Sequence, residues 1–250
     1  MTPALVVFAR VPAAGAVKTR LTPYLSESDA ARLYEAFLLD ALDGWTAPGA
    51  FGERRPAVRL YAAPEGGPWP AGLAPGGVSV HDQRGVGLGA RMMRAAVESF
   101  AAGHDRVVIV GTDHPTLPLT FIEEAFRALE ERFTVVLGPC DDGGYYLIGL
   151  NEVIPALFDG LSYGHSRVLQ EALERAVGAG AQPVLLPGWY DVDTPPALER
   201  LVAEMAAGAG VGRRTAATLD ALFPASNQQP GTSRNDSGGT GADSTAPSRP

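Results

Sequence analysis

One stretch, VVIVGTDHPTLP at 107–118, restricts the fold more than any other part of the chain. It begins with four consecutive β-branched residues, a run that is typical of a strand buried on both faces. The run ends at a polar turn that contains Asp113. In open α/β sheets, ligands bind in the crevice beyond the carboxyl ends of the strands. We therefore predict a central buried strand with a ligand-facing carboxylate just beyond it.

Shorter apolar runs and amphipathic segments alternate around this strand, and that alternation favours an α/β fold. The predicted strands lie at 4–9, 56–63, 78–81, 106–110, 133–138 and 183–187, and 139–150 predicts a hairpin-like return into the sheet. The predicted helices lie at 26–45, 119–132 and within 161–176, and a further helix begins at Pro195. The apolar stripe of the first helix, which includes Tyr34, is predicted to face the core.

The end of the chain has a different composition. Residues 224–250 contain no Leu, Ile, Val, Met or aromatic residue, so they cannot bury a core. We therefore expect one folded domain over residues 1–223 and a disordered tail over 224–250.

The composition excludes several classes of protein. The chain carries a formal net charge of −8, whereas nucleic-acid-binding proteins usually present a basic surface. Its single cysteine, Cys140, leaves no intrachain disulfide and no cysteine-rich zinc site. No segment reaches the roughly 18 apolar residues of a membrane span, and the first apolar run is too short for a signal peptide. We expect a soluble, cytoplasmic protein with no membrane span and no nucleic-acid partner.

The loop after the first strand, RVPAAGAVKTRLTP, concentrates positive charge in an acidic protein. Arg10, Lys18 and Arg20 lie in it, and residues 1–26 contain no acidic side chain. With small residues such as Gly15, the loop is a candidate phosphate cradle, although a solvated basic loop would show the same spacing. It lacks the P-loop motif. Lys18 is the one lysine of the chain, which fits either an arginine-biased genome or a position that requires a compact ammonium.

A second glycine-rich segment, DQRGVGLGARMMR, predicts a loop that leads into a helix. Its glycine spacing differs from the GxGxxG fingerprint and it does not follow a complete first βα unit, so we exclude a Rossmann dinucleotide site. The glycines still allow a ligand to approach the backbone closely. Gln83 and Arg91 are candidates for contacts with a base or a phosphate, and a helix start with a surface arginine is the alternative.

An acidic turn, PCDDGGYYLIGL, follows the next predicted strand. Asp142, Gly143, Gly144 and Tyr145 are either residues of a turn or the floor of a ligand pocket. His165 precedes a later predicted helix, where histidine is more typical of a capping or surface residue than of a catalyst. We keep it as a candidate for the same pocket.

A second acidic turn, WYDVDTPP, ends the last predicted strand. Asp191 and Asp193 alternate, so they face the same way if the segment is extended. Thr194 is predicted to cap the helix that Pro195 starts. This turn is the best candidate partner for Asp113.

Taken in order, these motifs resemble those of a known family. KTRL at 18–21, GTDHP at 111–115, GPCDDGGYYLIGL at 138–150 and DVDTP at 191–195 resemble the DUF2064 group of proposed glycosyltransferases, a branch of the GT-A nucleotide-diphospho-sugar transferase superfamily. The series is more distantly similar to 2-phospholactate and molybdenum cofactor guanylyltransferases. The resemblance covers roughly residues 4–205. It implies a Rossmann-like three-layer α/β/α sandwich with a mixed, mostly parallel sheet.

The resemblance also implies roles for individual residues. A divalent cation, Mg²⁺ or Mn²⁺, would be held by Asp113, and Lys18 and Arg20 would bind phosphate. Asp193 would serve the metal or the acceptor, and the other residues considered for that role are Asp191 and Asp142.

The chain departs from the family pattern at two places. His114 stands where the family usually has a small residue or a cysteine, and we predict a packing role for it rather than a metal contact. The family commonly shows Trp-Ser-Thr where this chain has LSYGHS at 161–166, so its acceptor specificity is expected to differ.

The function predicted on this basis is metal-dependent transfer from a nucleotide sugar to a small acceptor, with Asp113, Asp142 and Asp193 as catalytic residues. Asp142 and Asp193 are the candidates for a base that acts on the acceptor. The first alternative is nucleotidyl transfer, in which an acceptor that bears a phosphate or phosphonate attacks an NTP and pyrophosphate leaves. The second alternative is a non-catalytic nucleotide-binding module. The oligomeric state stays open, with a homodimer among the options.

Overall fold

The computed structural model describes residues 2–64, 66, 69–70 and 72–224, and the predicted tail from residue 225 onward lies outside them. The strands are β1 (Ala4–Arg10), β2 (Ala57–Ala63), β3 (Ser79–Asp82), β4 (Val107–Val110), β5 (Thr134–Pro139), β6 (Tyr145–Leu150) and β7 (Gln182–Leu185). The helices are α1 (Glu27–Thr46), α2 (Gly87–Ala101), α3 (Leu119–Ala128), α4 (Val168–Gly178), α5 (Pro195–Ala206) and α6 (Arg213–Leu222). Most predicted elements are present, with ends that differ by a few residues.

The strands form one seven-stranded sheet in the order β3-β2-β1-β4-β6-β5-β7. β6 runs antiparallel to both of its neighbours, and the other pairings are parallel. The mixed, mostly parallel sheet is therefore confirmed, and the predicted return into the sheet is the β5–β6 hairpin. Because β6 enters the sheet from the opposite direction, its first residue, Tyr145, lies at the edge where β1, β4 and β5 end.

Helices cover both faces of the sheet and complete the three-layer sandwich. Alternate strand residues point to opposite faces, so Val6 packs in the cluster that contains residues of α2 and α4. Val7 packs in the other cluster, which contains residues of α1 and α3. All four residues of β4 are buried, as the run of β-branched residues predicts.

A third cluster joins the two loops that later form the site. Leu21, from the loop after β1, packs with Phe37 of α1 and with Val192, from the turn after β7. Residues of α5 and α6 complete this cluster. The basic loop and the second acidic turn, which are far apart in sequence, are therefore held side by side by apolar contacts.

Two helix starts show how capping works in this chain. Ser26 caps α1, and its hydroxyl accepts a hydrogen bond from the Asp29 amide at 3.1 Å. Pro195 begins α5 with Thr194 at the N-cap position, as predicted, although the Thr194 side chain makes no capping hydrogen bond. Within the described part of the chain, no helix is both long enough and apolar enough to cross a membrane.

Candidate functional site

A cavity of about 630 Å³ lies at the edge of the sheet where β1, β4 and β5 end and β6 begins. This is the crevice that the sequence predicts beyond the central strand. The candidate residues that line it are Arg10, Lys18, Arg20, Gln83, Arg91, Asp113, Asp142, Gly144, Tyr145, His165, Asp191 and Asp193. Two further candidates, Gly15 and Gly143, lie outside the lining.

Lys18 is the most deeply buried charged group of the cavity. Its ammonium is paired with Asp113, and it lies 2.7 Å from Asp193 Oδ1. The Lys18 side chain is 2% exposed, whereas those of Asp113 and Asp193 are 39% and 35% exposed. Two carboxylates from different loops thus meet one buried cation, and their remaining surface faces the cavity. The proximity of Asp113 to the DVDTP turn, expected from the sequence, is present in the structure.

The backbone around Lys18 is held in a costly conformation. Lys18 adopts φ 50° and ψ 34°, a left-handed region that costs a non-glycine residue about 1–3 kcal/mol. It begins the 3-10 turn Thr19–Leu21. Its ammonium lies 5.9 Å from the centre of the Tyr34 ring and 5.6 Å from that of Phe37. The surrounding aromatic rings and carboxylates therefore fix a strained residue, which is a pattern found at functional sites.

The charges at the base of the cavity stabilise one another. Burial by itself would lower the pKa of Lys18, but Asp113 and Asp193 outweigh it and raise that pKa above its ordinary value. Burial would raise the pKa of Asp113, but the Lys18 ammonium outweighs it and lowers that pKa. Both groups are therefore charged at neutral pH. The Val192 amide also donates to the Asp113 carbonyl at 2.9 Å, which joins the two acidic loops through their backbones.

Three arginines, Arg10, Arg20 and Arg91, form what we call the basic wall. Arg10 donates to the Ala16 carbonyl at 3.0 Å, and Arg91 donates to the Gly85 carbonyl at 3.2 Å. Within the described residues, none of the three is paired with a carboxylate. Unpaired guanidinium groups at a cavity in a protein of net charge −8 indicate a site for an anion.

Gln83 lies beside the basic wall, but its amide nitrogen serves the fold. It donates to the carbonyls of Ala9 and Tyr61 at 3.0 and 2.9 Å, so it links β1 to β2. Contact of Gln83 with a base stays a prediction, and its side-chain oxygen is the atom that remains for it.

We call Cys140, Asp142, Gly144, Tyr145, Tyr163 and His165 the tyrosine wall. They come from the β5–β6 hairpin and the loop before α4. The hydroxyls of Tyr145 and Tyr163 lie 3.2 Å apart, and their rings meet edge to face. Burial raises the pKa of both phenols, so both stay protonated at neutral pH and can donate and accept hydrogen bonds.

Gly143 supports the tyrosine wall from behind. Its φ is +86°, and a Cβ at this position would lie 2.2 Å from the Ser166 carbonyl oxygen. The Leu169 amide donates to the Gly143 carbonyl at 3.0 Å. Gly143 is therefore required for close packing of the hairpin against the loop before α4, and the predicted pocket role falls to its neighbour Gly144.

The remaining acidic groups face the tyrosine wall. Asp142 Oδ1 accepts a hydrogen bond from the Gly144 amide at 2.8 Å, so Asp142 is both a turn residue and a cavity residue. Burial and the Asp193 charge raise the pKa of Asp191. Burial and the Asp191 charge raise the pKa of Cys140 to about 12, so its thiol is protonated at neutral pH and is a poor nucleophile.

His114 packs as the sequence predicts. Its Nδ1 donates to the Tyr190 carbonyl at 2.9 Å, and its ring meets the Tyr146 ring at a centroid distance of 5.6 Å. Both contacts are structural.

Sequence reasoning did not predict the cavity positions of Tyr34 and Tyr163. Tyr34 lies in the apolar stripe of α1, and its hydroxyl accepts a hydrogen bond from the Arg10 amide at 2.8 Å. A hydroxyl within an apolar stripe was the only signal for it. Tyr163 stands in the LSYGHS segment, where the departure from the family pattern was the signal.

The carboxylates of the cavity can hold a divalent metal only together with a bound small molecule that also coordinates it. Within the described residues, no three His, Cys, Asp or Glu side chains are arranged to hold a metal ion. Asp113 and Asp193 do converge, and Mg²⁺ is commonly held by one or two carboxylates with water and substrate phosphates. The residues therefore fit a hard cation that binds together with a phosphate-bearing molecule.

The fold and the site define an α/β sandwich of the nucleotide-diphospho-sugar transferase type. A proposed nucleotide-diphospho-sugar transferase from Desulfovibrio desulfuricans G20 is 31% identical, with a TM-score of 0.79, over 89% of this chain and 97% of that one. The family model described as "Uncharacterized protein conserved in bacteria (DUF2064)" matches residues 49–165. The chain belongs to this DUF2064 family.

Other solved structures share the fold at low identity. A cytidylyltransferase from Leptospira borgpetersenii serovar Hardjo-bovis is 12% identical with a TM-score of 0.54, over 89% of this chain and 94% of that one. CMP:2-keto-3-deoxy-manno-octonic acid synthetase, complexed with CTP, is 12% identical with a TM-score of 0.51, over 83% of this chain and 99% of that one. No curated protein matches the chain in sequence.

Proposed function

We propose that the protein is a metal-dependent transferase that moves a glycosyl group from a nucleotide-diphospho-sugar to a small acceptor. The observation that carries the proposal is the buried Lys18 with its two carboxylates, in a cavity whose basic wall has no carboxylate partner among the described residues. An ammonium and guanidinium forks are the groups that recognise phosphate oxygens. A cavity of about 630 Å³ lies within the range of about 300–1,000 Å³ for small-molecule sites. The 31% identity to a proposed nucleotide-diphospho-sugar transferase supports the choice of donor.

In this proposal, Asp113 and Asp193 would hold Mg²⁺ or Mn²⁺ when the donor is bound. When bound, the metal neutralises charge that develops on the diphosphate leaving group. Lys18 fixes the two carboxylates and places its positive charge next to the same phosphates. The basic wall binds the remaining phosphate oxygens, so catalysis is mostly positioning and electrostatic stabilisation.

The transfer step is a substitution at the anomeric carbon. The acceptor hydroxyl oxygen forms a bond to that carbon, and the bond from carbon to the diphosphate oxygen breaks. The nucleoside diphosphate leaves with the electron pair. The hydroxyl proton passes to Asp142, whose carboxylate lines the cavity and is fixed by the Gly144 amide.

Nucleotidyl transfer is the second candidate, because three arginines with no carboxylate partner among the described residues would also suit the larger charge of an NTP. In that reaction the acceptor attacks the α-phosphate, and pyrophosphate leaves. The two candidates differ in the molecule released, which makes them separable by experiment.

The test is a thermal-shift panel of nucleotide sugars and NTPs, each with and without Mn²⁺. We expect a nucleotide sugar to raise the melting temperature by several degrees, since a ligand at about 100 times its Kd adds about 2.7 kcal/mol. Stabilisation by an NTP alone, with release of pyrophosphate, would replace this function by nucleotidyl transfer. Absence of any metal-dependent shift would overturn both.

A matched pair of variants shows whether the shift comes from this cavity. Arg20→Ala removes a cation of the basic wall, and Arg32→Ala removes one that pairs with Asp29 on the outer surface of α1. The proposal requires that the first variant reduces the shift and that the second leaves it unchanged.

A further inference from the structure

The two walls of the cavity differ in charge. The basic wall presents three guanidinium groups, whereas among the described residues no lysine or arginine belongs to the tyrosine wall. A nearby cation, Arg175, acts electrostatically on Tyr163, but its guanidinium donates to the Ala156 and Asp159 carbonyls and does not line the cavity. The side chains of the tyrosine wall therefore present hydroxyl groups and a carboxylate to the cavity, and no cation of their own.

Two carboxylates lie at the tyrosine wall. Asp142 belongs to it, and Asp191 lies 3.9 Å from Cys140 of the same wall. An anionic group placed here would lose water without gaining a cationic partner, and it would be repelled by both carboxylates. The wall therefore disfavours phosphate and carboxylate groups by electrostatics alone.

The polar groups that the wall does offer suit hydroxyl groups. The protonated phenols of Tyr145 and Tyr163 lie 3.2 Å apart, and each can donate to or accept from a ligand hydroxyl. Apolar side chains that line the cavity next to them are Met92, Ile148 and Val168. Such a surface, with hydroxyls set among rings and aliphatic groups, is complementary to an uncharged molecule that bears hydroxyl groups.

We infer that the tyrosine wall is the acceptor subsite and that the acceptor is a hydroxyl compound without a phosphate or carboxylate group. This inference rests on the proposed function, because only a transferase has an acceptor. The charge selectivity of the wall does not depend on catalysis. It favours glycosyl transfer to a neutral hydroxyl over nucleotidyl transfer to a phosphate.

Cys140, the one cysteine of the chain, reports on this wall directly. We would measure by intact-protein mass spectrometry how fast it is labelled by cationic and by anionic methanethiosulfonate reagents of similar size, without nucleotide. Relative to free cysteine, we expect the cationic reagent to be favoured about tenfold, because local potential changes the local concentration of charged molecules by that order. Asp142→Asn should reduce this preference.

Two variants that carry a cysteine at another position test the inference even if Cys140 reacts slowly. His165→Cys in a Cys140→Ser background puts an exposed thiol on the same wall and should also favour the cationic reagent. Thr19→Cys in that background lies in the cavity next to the basic wall and should favour the anionic one. Equal or greater labelling of the tyrosine wall by the anionic reagent would overturn the inference. Because no nucleotide is present, failure of the proposed donor binding would show only in the thermal-shift panel.

Discussion

The two walls of the cavity use polar groups in opposite ways. Within the part of the chain that the structure describes, the guanidinium groups of the basic wall have no carboxylate partner, so they favour a ligand that carries negative charge. Hydroxyl and carboxylate groups of the tyrosine wall already bond to neighbouring groups, as Tyr145 does to Tyr163 and Asp142 to Gly144. Cations without a carboxylate partner indicate that the ligand at the basic wall is an anion. A completed network of hydrogen bonds at the tyrosine wall indicates how a neutral ligand would be oriented. The same cavity is therefore suited to two chemically different partners.

The walls also differ in how they are supported. Arg10 and Arg20 of the basic wall lie at the end of β1 and in the strained loop after it, and Arg91 lies on α2. The tyrosine wall depends on backbone contact between the hairpin turn and Ser166. Variants that alter one support at a time should separate the two walls experimentally.

The largest effect is expected for Gly143→Ala. The new Cβ would lie 2.2 Å from the Ser166 carbonyl oxygen at a φ of +86°, so the turn or the loop must move. We expect a loss of stability of about 3 kcal/mol, from strain together with overpacking, measured by urea unfolding.

Gly164→Ala is the matched control for Gly143→Ala. Its φ is +88°, but a Cβ there meets nothing within 4 Å, so it reports backbone strain without the clash. Nucleotide binding should survive in both variants if the walls are independent. Equal destabilisation of the two variants would mean that the close contact with Ser166 is unimportant.

A slightly smaller effect is expected for Asp113→Ala, which tests the side of the cavity that is proposed to bind phosphate. Loss of a proposed metal ligand should weaken Mn²⁺-dependent nucleotide binding by about 100-fold, measured by calorimetry, while the fold is kept. The control is Asp141→Ala, because Asp141 is an exposed carboxylate that pairs with Arg200 at 3.5 Å. Wild-type Mn²⁺-dependent affinity in Asp113→Ala would remove Asp113 from the metal site.

Lys18→Met should weaken nucleoside diphosphate binding about tenfold, the equivalent of about 1.4 kcal/mol, and should also destabilise the free protein at pH 7. The second effect depends on pH. Lys18 is the main cause of the lowered pKa of Asp113 in the folded protein. The resulting stabilisation is therefore present above about pH 3.9, the pKa of aspartate in an unfolded chain, and it is lost as pH falls through the lower pKa of the folded state.

Thermal unfolding of the wild type and of Lys18→Met between pH 7 and pH 3 measures this dependence. The difference in melting temperature should stay constant down to about pH 5 and shrink below about pH 4. A difference that grows in acid would show that Lys18 does not stabilise the ionised carboxylate.

The smallest effect is expected for Asp191→Asn. Burial and Asp193 raise the folded pKa of Asp191, so its contribution to stability is present below about pH 3.9 and is lost as pH rises through the folded value. The variant should therefore melt about 2 °C higher than wild type at pH 7, and the gain should vanish near pH 4. The control, Asp159→Asn at an exposed position, should leave the melting temperature unchanged at pH 7 and at pH 4. A melting temperature of Asp191→Asn below that of the wild type at pH 7 would contradict the repulsion between Asp191 and Asp193.

Much of the fold could be predicted from sequence because the strands carry strong local patterns. The β-branched run of β4 and the breaker residues after β1 set the sheet and its ligand-binding edge. The convergence of Asp113 with Asp193 also followed, since the carboxyl ends of strands meet at one edge.

Interactions that depend on three-dimensional contact could not be predicted. Nothing local indicates that Lys18 lies between two carboxylates, or that the Gln83 amide is used by two strand carbonyls. Gly143 could be identified as a special residue, but its role required the position of Ser166. Tyr34 was assigned to the core, and it is both a core residue and a cavity residue, because a phenol ring packs while its hydroxyl remains polar.

The antiparallel direction of β6 has a consequence for how such a cavity can be altered. The basic wall is assembled from the end of β1, the loop after it and α2, which are separate parts of the chain. The tyrosine wall belongs to a hairpin and one adjoining loop. Under the proposed function, protein engineers can therefore exchange the hairpin turn and the 161–166 loop as a single cassette, and select new acceptors without rebuilding the basic wall.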